Sequence, residues 1–208
     1  MTMFRLFFII FIHFSFSFAV FSQDRIFLLN GKEISGVITD TTSEFIFYKK
    51  SKEQSKSIKL ETERVFSFIK EDSGMEYIVY APDTSDPDYF SVHEMRMFVF
   101  GEKEAAIHYK APYTFAGAVA TGFVSAALPF MPLVLSPILP GIYTTIIGTQ
   151  FIRINKKHIA NKYYLSEETY IYGYEKMAKV KRVQRALLGS LIGIGAGYST
   201  RYFFNQDK

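Results

Sequence analysis

The residues in this chain whose types and spacing bear on chemistry are four histidines, a cluster of three aspartates and a series of evenly spaced glycines. His13, His93, His108 and His158 lie in four separate segments and form no HxH or HxxxH pair. Metal sites draw at least two ligands from such short helix or strand spacings, so no metal centre is expected. Asp83, Asp86 and Asp88 offer the oxygens calcium prefers, but the loop lacks a calcium loop's glycine and closing glutamate, and Pro87 stiffens it. It reads as a solvated turn. The chain has no cysteine, which removes disulfides, thiolate zinc sites and cysteine nucleophiles. No G-x-S-x-G, P-loop or dinucleotide fingerprint occurs. The expectation is a non-enzymatic protein without a cofactor.

The glycines point to packing instead. Gly189, Gly193 and Gly197 recur every four residues in the uncharged run Ala186–Thr200, a doubled GxxxG pattern or glycine zipper. A second set of small residues, Gly117, Thr121 and Ser125 with Ala118, Gly122 and Ala126 on the adjoining ridge, lies in the forty-two-residue stretch Ala111–Ile152, which contains no Asp, Glu, Lys, Arg or His. Small residues on one face let another helix backbone come close. The expected packing set is Gly189, Gly193 and Gly197 against Gly117, Thr121, Gly122 and Ser125.

As one helix, Ala111–Ile152 would reach about 63 Å, roughly twice the hydrocarbon thickness of a bilayer. The reading is therefore of membrane helices broken at Pro129, Pro132, Pro137 and Pro140, where proline removes a helix donor and clashes with the preceding turn. Residues 1–22, with Arg5 ahead of the apolar run Leu6–Phe14, read as a signal peptide, with an uncleaved anchor as the alternative.

Charge follows the same division. The whole chain carries +4, yet Gln23–Pro112 has 12 basic against 16 acidic residues and Arg153–Arg185 has 9 against 3. A juxtamembrane basic excess suits lipid headgroups ahead of nucleic acid, with Lys176, Lys179, Lys181, Arg182 and Arg185 as the headgroup residues. No nucleic-acid partner is expected.

Between the leader and the apolar run, the period changes to that of strands. RIFLL, EISGVIT, EFIFYKK, SIKL and RVFSFIK make about five, the first two joined at Asn30-Gly31 as a type I′ hairpin. Glu76–Tyr80 could pair with Met95–Phe100 as strands, or Val92–Phe100 is a helix with Ser91 and Glu94 as a capping box; the reading taken is a strand followed by one or two short helices. A further helix is expected from an N-cap at Ser166 to Arg185, weakened by Gly173. Tyr163, Tyr164, Tyr170, Tyr172 and Tyr174 read as an interfacial aromatic belt.

The expected organisation is a signal peptide over 1–22, a small β module over 23–80, a connector with short helices over 81–110 and proline-broken membrane helices over 111–152. A basic linker and helix over 153–185 and a glycine-zipper transmembrane helix over 186–204 complete it. The fold class is thus an α+β membrane protein, a small N-terminal β barrel or curved sheet followed by a helical membrane domain.

The pattern Ile26, Leu28, Asn30-Gly31, Ile34, Gly36-Val37 resembles the opening of the Sm-like and SH3-like small β barrels. The resemblance implies the fold only. The loop Thr41-Thr42-Ser43-Glu44 and the closing Glu63-Arg64-Val65 lack the RNA-binding residues of Sm proteins. From the β module to GYEKMAKVKRVQRALLGSLIGIGAG, the segment order resembles uncharacterised envelope proteins of Bacteroidota bacteria, which implies a location but no activity. The function expected is a scaffold or complex subunit in the inner membrane with an extracytoplasmic β module. Its partners would be the lipid bilayer and either further copies or another membrane protein. The alternative is a transporter or pore component built from an oligomerised proline-broken hairpin.

Overall fold

The computed structural model describes residues 23–206 apart from 52, 86, 129–131, 155–158 and 160. The expected signal peptide over 1–22 lies outside the described residues, as do His13, Asp86, Pro129 and His158. The chain packs as two compact units, one formed by Glu33–Val79 with the strand before it, the other by Leu28–Lys32 together with Tyr80 onward.

The first unit is a sheet of six strands: β1 (Asp24–Leu28), β2 (Glu33–Thr41), β3 (Phe45–Lys49), β4 (Ile58–Glu61), β5 (Val65–Ile69) and β6 (Glu76–Ile78). Their order is β4-β3-β2-β1-β5-β6. Alternation in β3 sends Ile46 and Tyr48 inward, whereas β5 is buried on both faces from Val65 to Phe68. Asp24 ties the sheet together: one carboxylate oxygen accepts from Ile38 N at 2.7 Å and the other from Glu71 N at 2.8 Å. The β1–β2 turn differs from the expected type I′. Only Gly31 has positive φ, at 70°, and Leu28 N donates to Lys32 O at 2.9 Å. That is a three-residue loop closed by one left-handed glycine, which spares Asn30 the strained conformation.

The second unit is helical: α1 (Val92–His108), α2 (Pro112–Ala127), α3 (Ile138–Thr149) and α4 (Glu168–Gln206). Of the two readings for residues 92–100, the helix is found. Ser91 Oγ accepts from Glu94 N, and the Glu94 carboxylate accepts from Ser91 N at 2.8 Å, a complete capping box. β6 pairs with β5, not with Met95–Phe100.

The membrane reading is overturned: among the described residues no helix is long and apolar enough to cross a membrane. The uncharged run is divided into α2, 16 residues, and α3, 12 residues, about 24 and 18 Å against a hydrocarbon core of about 30 Å. Pro132 and Pro137 lie between the two. Pro140 does not break anything. It occupies the first turn of α3, where its missing N–H costs nothing, and Gly141 N bonds to Pro137 O at 2.9 Å. Nor does Ala186–Thr200 form a transmembrane helix of its own. It is the C-terminal half of α4, 39 residues whose first half carries the charges of Glu168–Arg185. Ser166 does not cap that helix either; its Oγ donates to Tyr163 O at 2.6 Å within a 3₁₀ turn over Lys162–Ser166.

The close approach of α2 to α4 yields a paired prediction. Gly193→Ala, whose Cβ would run into Val119 O, should lower unfolding stability by about 3 kcal/mol. Gly195→Ala, which meets nothing within 4 Å, should raise it by about 0.5–1 kcal/mol by helix propensity. Urea unfolding of the two variants beside wild type checks both signs.

Candidate functional site

Two kinds of contact join α4 to the helices beside it. The first is backbone approach. A Cβ at Gly122 would lie 2.6 Å from Ser190 O, at Gly189 2.6 Å from Phe115 O, and at Gly197 2.6 Å from Phe123 O. Of the expected packing set, Gly122 meets Gly193, with Ala118 against Gly189 and Ala126 against Gly197 on the same ridge, and Ser125 is buried with its Oγ donating to Gly122 O at 2.8 Å. Gly117 and Thr121 go elsewhere. A Cβ at Gly117 would strike the Tyr143 hydroxyl of α3, which donates to Thr114 O at 3.2 Å, and Thr121 lines a groove between α2 and α3. A residue one step along the helix points about 100° away, so the two ridges serve two neighbours. The glycine-zipper transmembrane reading is corrected in its setting, since no described helix is long and apolar enough to cross a membrane, while the spacing seats the expected partner, α2.

The same device recurs at the other end of α4, unexpected from sequence. Gly101 of α1 sits against Tyr170 O, and Gly173 of α4 against Phe98 O, each too close to carry a side chain. Gly173 is therefore a crossing point. Around it Tyr170 and Tyr174 are buried, and the Tyr170 hydroxyl donates to Glu104 at 2.5 Å. Burial first, then that bond, push its pKa far up and keep it protonated. Two members of the expected aromatic belt are thus core residues; Tyr163 and Tyr172 are exposed.

The second kind of contact is charge at helix ends. Lys181 Nζ donates to Ala106 O at 2.5 Å and Ala105 O at 3.3 Å, in the last turn of α1. Arg182 donates to Ile147 O and Gln150 O, both at 3.1 Å, at the end of α3, and to the Tyr109 hydroxyl at 2.9 Å. Arg201 Nη1 reaches Leu128 O, just past α2, at 3.4 Å. Terminal helix carbonyls lack intrahelical donors and carry partial negative charge, so a cation there both satisfies and neutralises them.

Lys176, another of the expected headgroup residues, pairs with Glu102 of α1 at 3.1 Å and lies over the Phe98 ring. Three of the five headgroup residues therefore bond inside the protein. Of the other two, Lys179 is half-buried and Arg185 exposed. Glu102 is only 2% exposed and its Oε2 has no hydrogen-bond partner among the described residues. Gly31 closes over it, since a Cβ there would come within 2.7 Å of Glu102 Cβ. Burial raises the Glu102 carboxyl's pKa above the ordinary glutamate value, and the Lys176 bond opposes that rise.

Apolar surface is concentrated on α2, α3 and the second half of α4. Ala120, Thr121, Val124, Leu139, Ile142 and Ile146 line an open groove of 380 Å³ with Tyr143. Leu187, Leu191 and Ile192 of α4 are more than half exposed. The remaining candidates for chemistry stay apart. His93 is exposed and 3.8 Å from Glu167, and Asp83 accepts from its own loop's Ser85. No cluster of three metal-ligating side chains occurs among the described residues.

The buried carboxyl sets a pH dependence. Its folded-state pKa lies above the unfolded one, so the stability it contributes is full below the unfolded pKa and is lost as pH rises through the folded pKa. Stability should therefore fall as pH rises from about 4, and Glu102→Gln should flatten that part of the profile. Lys176→Met should cost about 2 kcal/mol at neutral pH, since it strands a buried carboxylate whose partner is half exposed, and less in acid. Thermal unfolding of both variants between acid and neutral pH reads these effects.

No family model matches the chain, and no curated protein or solved structure was found similar to it.

Proposed function

We propose that this chain is a non-enzymatic assembly subunit whose apolar helical face is covered by a second copy of itself. The observation that carries the proposal is the face itself: a groove between α2 and α3 and a ridge of Leu187, Leu191 and Ile192 on α4, in one compact unit, with no charged residue among them. Exposed apolar surface of this kind marks an interaction site. A groove and a ridge on the same unit favour a like partner. In a two-fold pair each ridge fills the other copy's groove, so the contact closes on itself and both apolar features leave solvent together. The charges of α4 support the reading from the other side: Lys176, Lys181 and Arg182 are engaged within the chain and leave the apolar face to set the partner.

Sedimentation of the full chain across a concentration series tests this, with Leu191→Glu and Ile142→Glu as interface variants on the ridge and in the groove. Self-association is expected, weakened at least about tenfold by either substitution. A chain that stays monomeric throughout, or whose two variants associate as wild type does, overturns the proposal. Flotation with phosphatidylcholine vesicles in place of self-association would assign the face to lipid and equally overturn it.

A further inference from the structure

A second concavity lies where α1 gives way to α2. Lys110, Ala111, Pro112, Phe115 and Arg185 line a pocket of 340 Å³. Its only polar side chains are two cations, both exposed, and among the described residues neither has a hydrogen-bond or ion-pair partner. They come from distant parts of the chain, the α1–α2 connection and the middle of α4, and the fold brings them together. Behind them stands Lys181, its ammonium held on the carbonyls of Ala105 and Ala106. Arg185 and Lys110 both lower its pKa, after the larger effect of burial. Three cations crowded without a carboxylate repel one another, an arrangement an anion relieves.

The backbone adds to this. Ala111 supplies no side-chain cap to α2, and Pro112 at its first position has no N–H. The positive end of a 16-residue helix therefore opens without a side-chain acceptor of its own. Arginine brings a planar fork matched to two phosphate oxygens, and lysine a point charge. Phe115 gives the pocket an apolar wall.

We propose that this pocket binds a phosphate-type anion, with Arg185 and Lys110 as its ligands. The inference does not depend on whether a second copy covers the groove between α2 and α3. Inorganic phosphate and a phospholipid headgroup present the same chemistry to the two cations, and the test separates them. Full-length protein is titrated with inorganic phosphate by calorimetry, and separately floated with vesicles of phosphatidylglycerol in phosphatidylcholine or of phosphatidylcholine alone. Arg185→Gln and Lys110→Gln are compared with Lys56→Gln, an exposed lysine of the sheet unit, as control. Binding of inorganic phosphate that falls at least about tenfold in each pocket variant but not in the control supports the site and a soluble anion. Flotation only with phosphatidylglycerol vesicles, lost in the same two variants, supports the site and a headgroup. No binding of either probe, or binding that both pocket variants retain, overturns the proposal. Circular dichroism melts show that each variant is folded, and either substitution alone suffices if the other fails to fold.

Discussion

The helical unit depends on how closely other backbones can approach α4. Helix axes ordinarily pass 8–10 Å apart because side chains intervene. Along α4 the chain removes those side chains at chosen places, Gly173 under α1 and Gly189, Gly193 and Gly197 under α2, and α1 and α2 reply with Gly101 and Gly122. Close approach extends dispersion contact over whole helical turns. It also fixes the sliding position of one helix along the other, since a shift of one residue would drive a Cβ into a carbonyl.

Proximity also explains the basic residues. Once α1, α2 and α3 are laid along one 39-residue helix, their C-terminal carbonyls fall within reach of cations projecting from it. Lys181 serves α1, Arg182 serves α3 and Arg201 serves α2. Of the charged series that looks in sequence like a collar for headgroups, Lys181 and Arg182 serve as helix caps and Lys176 as the partner of a buried carboxylate. Lys110 and Arg185 are among the cations that these caps do not use, and the fold brings the two together.

Much of the sheet unit was legible because its signals are local. Alternating β-branched and aromatic residues specify strands within a few positions, and five strands could be read directly. The sixth, Glu76–Ile78, was read as a strand, and the turn at Gly31 differed only in type. The capping box at Ser91 and Glu94 was equally readable, since both halves lie within one helical turn. In the helical unit the small-residue positions and the pairing of the α4 glycines with α2 were visible, but not which of the two ridges of α2 faces α4. Gly117 and Gly122 are five residues apart and face different helices. Gly101 and Gly173 were missed because a lone glycine inside a polar helix looks only like a weak point. The buried Glu102 and Tyr170 carry no sequence mark of burial, and each is held by a residue more than sixty positions away.

By itself, then, the sequence determined local matters: strand periodicity, the positive φ at Gly31, the helix start at Ser91 and where small residues recur. Tertiary structure decided what the uncharged stretches are for. Counted along the chain, Ala111–Ile152 has the length and composition of membrane segments, and Ala186–Thr200 has the composition though it is short for a span. Folded, the first becomes two helices too short to span and the second the end of a longer, partly charged one. The physical reason is that hydropathy records what a residue leaves behind in water and not what it meets. Only the packed chain shows whether a glycine faces another backbone and a lysine faces a carbonyl.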